Sequence, residues 1–204
     1  TNNYKLSQVA HVATTQPGLL SVTASGYSGI YDGGPHGITV TSSGATIKYG
    51  EASGTYNLTS SPTYTDVGTY TVYYQVSLAG YTTATGSKTV TIAKANNVLR
   101  LSATSGSYTY PNGGTFKVTE NKSGGTLSCI SDNKAVANCS ISGDTVTVTL
   151  GTTKGTATLT IKSEATKNYN AGQAAYVVTT ASGALSVTAN EYSGVYDGKE
   201  HGIT

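Results

Sequence analysis

Leu20 to Thr39 reads LSVTASGYSGIYDGGPHGIT, and Leu185 to Thr204 reads LSVTANEYSGVYDGKEHGIT. The two stretches are one segment occurring twice. Carried backwards at the same offset of 165, the match puts Thr1 on Thr166, Tyr4 on Tyr169, Gln8 on Gln173 and the pair Thr14, Thr15 on Thr179, Thr180; laying 1–39 over 166–204 makes 24 of 39 positions identical. The chain thus holds one period and part of the next, as expected of a window on a longer array. A period this long exceeds a single solenoid repeat and suits two domains per period.

Composition points to strands and turns. Of 204 residues 16 are Tyr and 25 Gly, only 11% are charged, and Met and Trp are absent. Thr, Val, Ile and Tyr suit a pleated, half-buried surface, whereas helix-sustaining residues are scattered. Regularly spaced Tyr, Val, Ile and Leu supply the apolar surface that disordered chains lack. With a net charge of +2 and no run of Lys and Arg, nothing favours nucleic acid or an anionic membrane as partner. The apolar runs are too short for a membrane-spanning segment.

The clearest strand runs from Thr69 to Ser77, with Tyr70, Val72, Tyr74 and Val76 on one face and Thr71, Tyr73, Gln75 and Ser77 on the other. Such alternation predicts a half-buried antiparallel strand. Before it, Leu19, Leu20, Val22 and Ala24 open a domain, the turn-rich segment Tyr27 to Gly37 breaks that strand, and Ile38–Thr41 and Ala45–Tyr49 follow as short strands. A strand from Lys88 to Ala93 closes the domain. A second opening echoes the first, since Leu99, Leu101, Ala103 and Tyr110 fall on Leu185, Val187, Ala189 and Tyr196. Within this second unit TVTVTL (145–150) and TATLTI (156–161) alternate cleanly around a connection from Gly151 to Gly155.

These patterns predict an all-β chain of tandem β-sandwich domains; the motifs of its units resemble immunoglobulin-like ones, which implies tandem immunoglobulin-like β-sandwich domains in an elongated array. Residues 1–18 are expected to be the last strands of a preceding domain, 19–95 a first complete domain, 96–183 a second, and 184–204 the opening of another domain of the first type. The openings at Leu20, Leu99 and Leu185 are spaced by 79 and 86 residues, which suits sandwich domains.

Asp66-Val67-Gly68-Thr69-Tyr70 is a D-x-G-x-Y pattern leading straight into the alternating strand. It is similar to the tyrosine corner of immunoglobulin-like sandwiches, in which a Tyr near the start of strand F sends its hydroxyl back to the backbone upstream. Asp66, Gly68 and Tyr70 are the candidate corner, since a buried Tyr hydroxyl needs a partner.

The run NKSGGTLSCISDNKAVANCSISGDTVTVTLGTTKGTATLTI (121–161) resembles group 2 bacterial immunoglobulin-like domains of surface proteins, with Ser131, Asp132 and Ala135 in the loop, Gly143–Val148 as one strand and Gly155–Ile161 as the last. The first unit, with YDGGPHGITVT, TIKYG, YNLTSSPTYTDVGTYTVYYQV and GYTTATGSKTVTI, is similar to MBG-type repeats in long surface proteins of Gram-positive bacteria. The resemblance implies secretion to the cell surface, a tandem repeat arrangement and service as a stalk or adhesin. Domains of the resembled type usually lack the cysteine pair.

Cys129 and Cys139 are the only thiols. Ten residues apart on neighbouring predicted strands of an extracellular chain, they read first as a disulfide, with two buried free thiols or a metal site as alternatives. No Ser stands in a nucleophile-elbow context beside a base and an acid, so no enzyme and no catalytic residue are expected, nor any cofactor. The acidic residues stand singly, so no metal site is expected. Asp32 and Asp197, His36 and His201 recur together in a Tyr-Asp-Gly turn whose ordinary reading is structural. Lys48, Lys88 and Lys117 are strand lysines to weigh for an isopeptide crosslink to Asn, which needs a buried Lys. Tyr73, Tyr108 and Tyr110 are the aromatic residues to weigh as a sugar-stacking platform. The expected function is a structural repeat segment of an extracellular bacterial surface fibre, stalk or filament. Its partners are then neighbouring repeats of the same protein or other copies in a filament; the alternative is an adhesive module holding a glycan or host protein through multivalent repeats.

Overall fold

The computed structural model describes residues 15–183, 189 and 193–201. The strands expected before residue 15, and most of the domain opening expected over 184–204, lie outside the described residues. Every regular element among the described residues is a β-strand. The strands form two compact units. One comprises the chain up to Ala95 together with Lys167–Tyr169, the other Asn96–Thr166 and the chain from Asn170 onward.

In the first unit the strands are β1 (Gly18–Leu19), β2 (Thr23–Ser25), β3 (Tyr27–Ile30), β4 (Thr39–Thr41), β5 (Thr46–Gly50), β6 (Gly68–Ser77), β7 (Tyr81–Thr82) and β8 (Ala84–Ala93). β2 pairs antiparallel with β4, and a four-stranded sheet runs in the order β3-β8-β6-β5. The alternation of β6 does what its sequence predicts. Val72 and Val76 are fully buried, Tyr70 and Tyr74 are half-buried on the same face, and Thr69 and Thr71 are exposed. Between the two sheets Ile38, Val40, Tyr49, Val72, Val76, Val90 and Ile92 form the core, with Leu20, Val22 and Ala24 packed against it.

Two expectations change here. The segment Tyr27–Gly37 was expected only to turn, but its first four residues are β3, hydrogen-bonded parallel to β8 with Tyr27 opposite Val90 and Ile30 opposite Ala93. Parallel pairing at a sheet edge needs no apolar alternation of its own, so nothing in YSGI announces it. The closing strand begins at Ala84 rather than Lys88, because β6 is long enough to pair with it from Gly68 through Val76.

The second unit contains β9 (Leu99–Leu101), β10 (Ser105–Thr109), β11 (Gly114–Asn121), β12 (Leu127–Ser131), β13 (Ala137–Ser142), β14 (Thr145–Leu150), β15 (Gly155–Ser163) and β16 (Gly172–Ala181). One sheet has the order β13-β14-β11-β9 and the other β10-β16-β15-β12. This is the two-sheet strand order of an immunoglobulin-like sandwich, with the opening strand split so that β9 joins one sheet and β10 the other. The split repeats that of β2 and β3, which is the structural content of the shared opening. Alternate residues of β14 and β15 (Val146, Val148, Ala157, Leu159, Ile161) point inward to meet Phe116, Tyr176 and Val178. The Phe116 and Tyr176 rings stack at 3.8 Å, and the Tyr176 hydroxyl lies 2.8 Å from that of Tyr108. Each unit is an immunoglobulin-like β-sandwich with its own core.

Candidate functional site

The D-x-G-x-Y segment bends the chain into β6. Tyr70, third residue of the strand, turns its ring back over Gly68, and its hydroxyl donates to the Asp66 carbonyl at 3.1 Å. A Cβ on Gly68 would sit 2.9 Å from the phenol carbon and oxygen of Tyr70, so any side chain there would push the ring aside. Tyr64 stacks on Tyr70 with centroids 4.0 Å apart and planes 5° from parallel. The Tyr64 hydroxyl donates to Glu51 Oε1 at 2.8 Å, and the Tyr64 backbone exchanges hydrogen bonds with His36. Burial, together with the hydrogen bond to the Glu51 carboxylate, pushes the Tyr64 phenol up to about 12.

The corner also holds residues remote in sequence. Asn168, within the first unit, accepts from the Val67 amide through Oδ1 at 3.0 Å and donates from Nδ2 to Asp66 Oδ1 at 2.9 Å. Lys167 Nζ pairs with the other oxygen of the same carboxylate. The Asn168 carbonyl accepts from the Ala95 amide at 3.0 Å, and the Tyr169 ring meets Tyr31 edge to face at 5.4 Å. The hydrogen bond from Lys167 and then that from Asn168 hold the Asp66 carboxyl below its ordinary value. Sequence reading found the Asp66, Gly68 and Tyr70 part of this cluster and missed Asn168, whose only signal was its identity with Asn3 one period earlier.

In the second unit the sulfur atoms of Cys129 and Cys139 are bonded, with Cα atoms 6.1 Å apart. Their strands are not hydrogen-bonded neighbours. β12 is the edge of one sheet and β13 the edge of the other, so the bridge ties the two sheets at one margin. The intervening loop is clasped by its own polar residues. Ser131 Oγ donates to the Ala137 carbonyl at 2.6 Å and accepts from the Asn133 amide, while Asp132 Oδ1 accepts from the Thr158 amide at 2.7 Å.

Scans against protein-family models and curated proteins give no match. Similar solved structures include the S-layer protein SbsC, at 19% identity and a TM-score of 0.42 over 87% of this chain and 30% of that one. Another is the titin domains Z1Z2 in complex with telethonin, at 10% identity and 0.44 over 83% of this chain and 96% of that one. A third is a SusE-like, surface-located polysaccharide-binding protein from Bacteroides thetaiotaomicron, at 12% identity and 0.32 over 79% of this chain and 34% of that one. This chain therefore spans about a third of the SbsC chain.

The remaining sequence candidates fall into place individually. Asp32 Oδ1 accepts from the Gly34 amide at 2.8 Å and lies 2.9 Å from His36 Nε2, and the His36 ring stacks on Tyr27 at 3.8 Å. This closes a turn. Asp197 repeats it, accepting from the Lys199 amide at 3.0 Å and lying 2.7 Å from His201 Nε2. Lys48, Lys88 and Lys117 are all exposed, so none is the buried amine an isopeptide bond requires. Tyr108 packs against the core of the second unit, Tyr73 is half-buried in the first, and Tyr110 alone of the three is exposed, at 47%. Among the described residues no group of three or more His, Cys, Asp or Glu is placed to hold a metal ion, and no helix is long and apolar enough to cross a membrane.

Proposed function

We propose that this chain is a structural repeat segment of an extracellular bacterial surface fibre, stalk or filament, built of domains of two alternating types that resemble MBG-type and group 2 immunoglobulin-like domains. The domains are taken as 19–95 and 96–183, with 1–18 and 184–204 belonging to their neighbours in the array. One observation carries this reading. The Asp32–His36 turn that follows the first unit's split opening recurs 165 residues later as Asp197–His201, with the same Asx-type hydrogen bond and the same carboxylate-to-imidazole contact. Reuse of both sequence and geometry at a fixed interval is what a tandem array requires.

The chemistry is in keeping with that role. The conspicuous side-chain clusters, at the corner and at the Cys129–Cys139 bridge, hold backbone in place, and the bridge suits an oxidising, extracellular setting. The test is a glycan-array and cell-binding assay on one isolated 165-residue period. The structural reading expects no high-affinity binding. Tight binding by a single period would replace it with the adhesive alternative, a module recognising a glycan or host protein.

A further inference from the structure

The clasp at the corner has the chemistry of a recognition site. The Asn168 side chain presents an acceptor to the Val67 amide and a donor to the Asp66 carboxylate at once, a pairing that an amide satisfies and a carboxylate cannot. The backbone carbonyl of the same residue takes the Ala95 amide, and the next side chain, Tyr169, sets its ring edge-on to Tyr31. Three consecutive features of one short segment are thus read by residues about 70 to 140 positions away in sequence. The segment is Thr166-Lys167-Asn168-Tyr169, and Thr1-Asn2-Asn3-Tyr4 repeats it at the 165-residue offset. The residues kept are the Thr, the Asn that makes the clasp and the Tyr that meets Tyr31. The Lys whose ion pair with Asp66 is exposed on both sides becomes Asn2. The sequence therefore contains two T-x-N-Y segments and one D-x-G-x-Y corner, and the single corner is filled by Asn168.

We propose that the Asp66–Tyr70 corner is a docking site for a T-x-N-Y segment, and that the other copy, Thr1–Tyr4, engages the corresponding corner of another domain of the first type in a neighbouring repeat of the same protein. The location of that second corner rests on the repeat reading above; the specificity of the corner for Asn rests on its own geometry. An Asp in place of the Asn would turn an oxygen toward the Asp66 carboxylate where a donor stands now, and lose the interaction by repulsion as well as by a missing hydrogen bond.

The experiment uses the full 204-residue chain with Asn168→Ala and Tyr169→Ala to vacate the corner and Asn3→Ala to remove its own competitor. The 15N-labelled variant is titrated with a peptide of residues 1–5, TNNYK, and with the same peptide carrying Asn3→Asp. The expected result is a saturable shift of the Asp66, Val67 and Gly68 amide resonances with TNNYK and none with the Asp form. No shift with TNNYK, or equal shifts with both, would overturn the proposal. Should the Val72 and Val90 amides show the triple variant unfolded, Asn3→Ala with Asn168→Ser leaves Tyr169 on Tyr31, and the same two outcomes decide. A failure to bind leaves the structural-repeat reading standing, because that reading falls only to tight glycan or cell binding by the isolated period.

Discussion

Tyr70 shows how much one hydroxyl can carry in a small sandwich. Its ring covers Gly68 and its oxygen donates to the Asp66 carbonyl, so Tyr70→Phe keeps the packing and removes one hydrogen bond. Such a loss is worth about 0.5–1.5 kcal/mol, and urea unfolding of the first unit should show a midpoint lowered accordingly with an unchanged slope. Tyr64, stacked on the same ring, sets the alkaline limit. Its folded phenol is raised to about 12 from 10.0, so between those values the folded chain holds a proton that the unfolded chain has released. The stability Tyr64 contributes in this way is present in full below pH 10 and is lost as pH rises through that window. Tyr176, raised by burial and by its contact with Tyr108, adds the same sign in the second unit. Melting temperatures measured from pH 8 to 12 should therefore fall above pH 10, and Tyr64→Phe should flatten the fall in the first unit. On the acid side the sign reverses. The Asp66 carboxyl is lowered by Lys167 and Asn168, so what it contributes is present above its ordinary value of 3.8 and lost as pH falls through its folded value.

At the scale of strands, legibility follows whether the information is local. β6, β14 and β15 alternate along their own length because each is half of a core, and that pattern is written in the residues themselves. β3 and β10 are not visible in this way. Each is an edge strand joined in parallel to the closing strand of its unit, β8 or β16, most of the unit's length away in sequence, and its residues need satisfy only backbone groups. The corner divides along the same line. Asp66, Gly68 and Tyr70 form a local motif and were readable, but Asn168 stands 101 positions from Val67 and nothing short of the fold brings them together. The cysteines were readable as a pair and misleading as to place, since they join two sheet edges rather than two paired strands. Glycine and tyrosine counts also gain a reason. The rings of Tyr27, Tyr70, Tyr74 and Tyr108 lie over Gly29, Gly68, Gly86 and Gly114, so aromatic faces cover the gaps that glycines leave in strands. Gly68→Ala should accordingly displace the Tyr70 ring and cost more than Tyr70→Phe, which a denaturation series on the two variants and their combination would measure.

For the molecule as a whole the decisive property is that each unit has its own core and its own fastening. The bridge between Cys129 and Cys139 closes its loop entirely within the second unit, and the Tyr70 corner belongs entirely to the first. In the chain-entropy view the bridge stabilises by about 3 kcal/mol, a large part of the roughly 5–10 kcal/mol expected of a domain this size. Calorimetry of the oxidised chain should resolve two transitions. Reduction, or Cys129→Ser with Cys139→Ser, should lower one by many degrees and leave the other in place, while Tyr70→Phe should lower only the transition that reduction spares. A single transition moved by both changes would mean that the units melt as one cooperative body. Two transitions moved separately would mean that an array of such units yields one unit at a time, its weakest link set by whichever fastening is lost first.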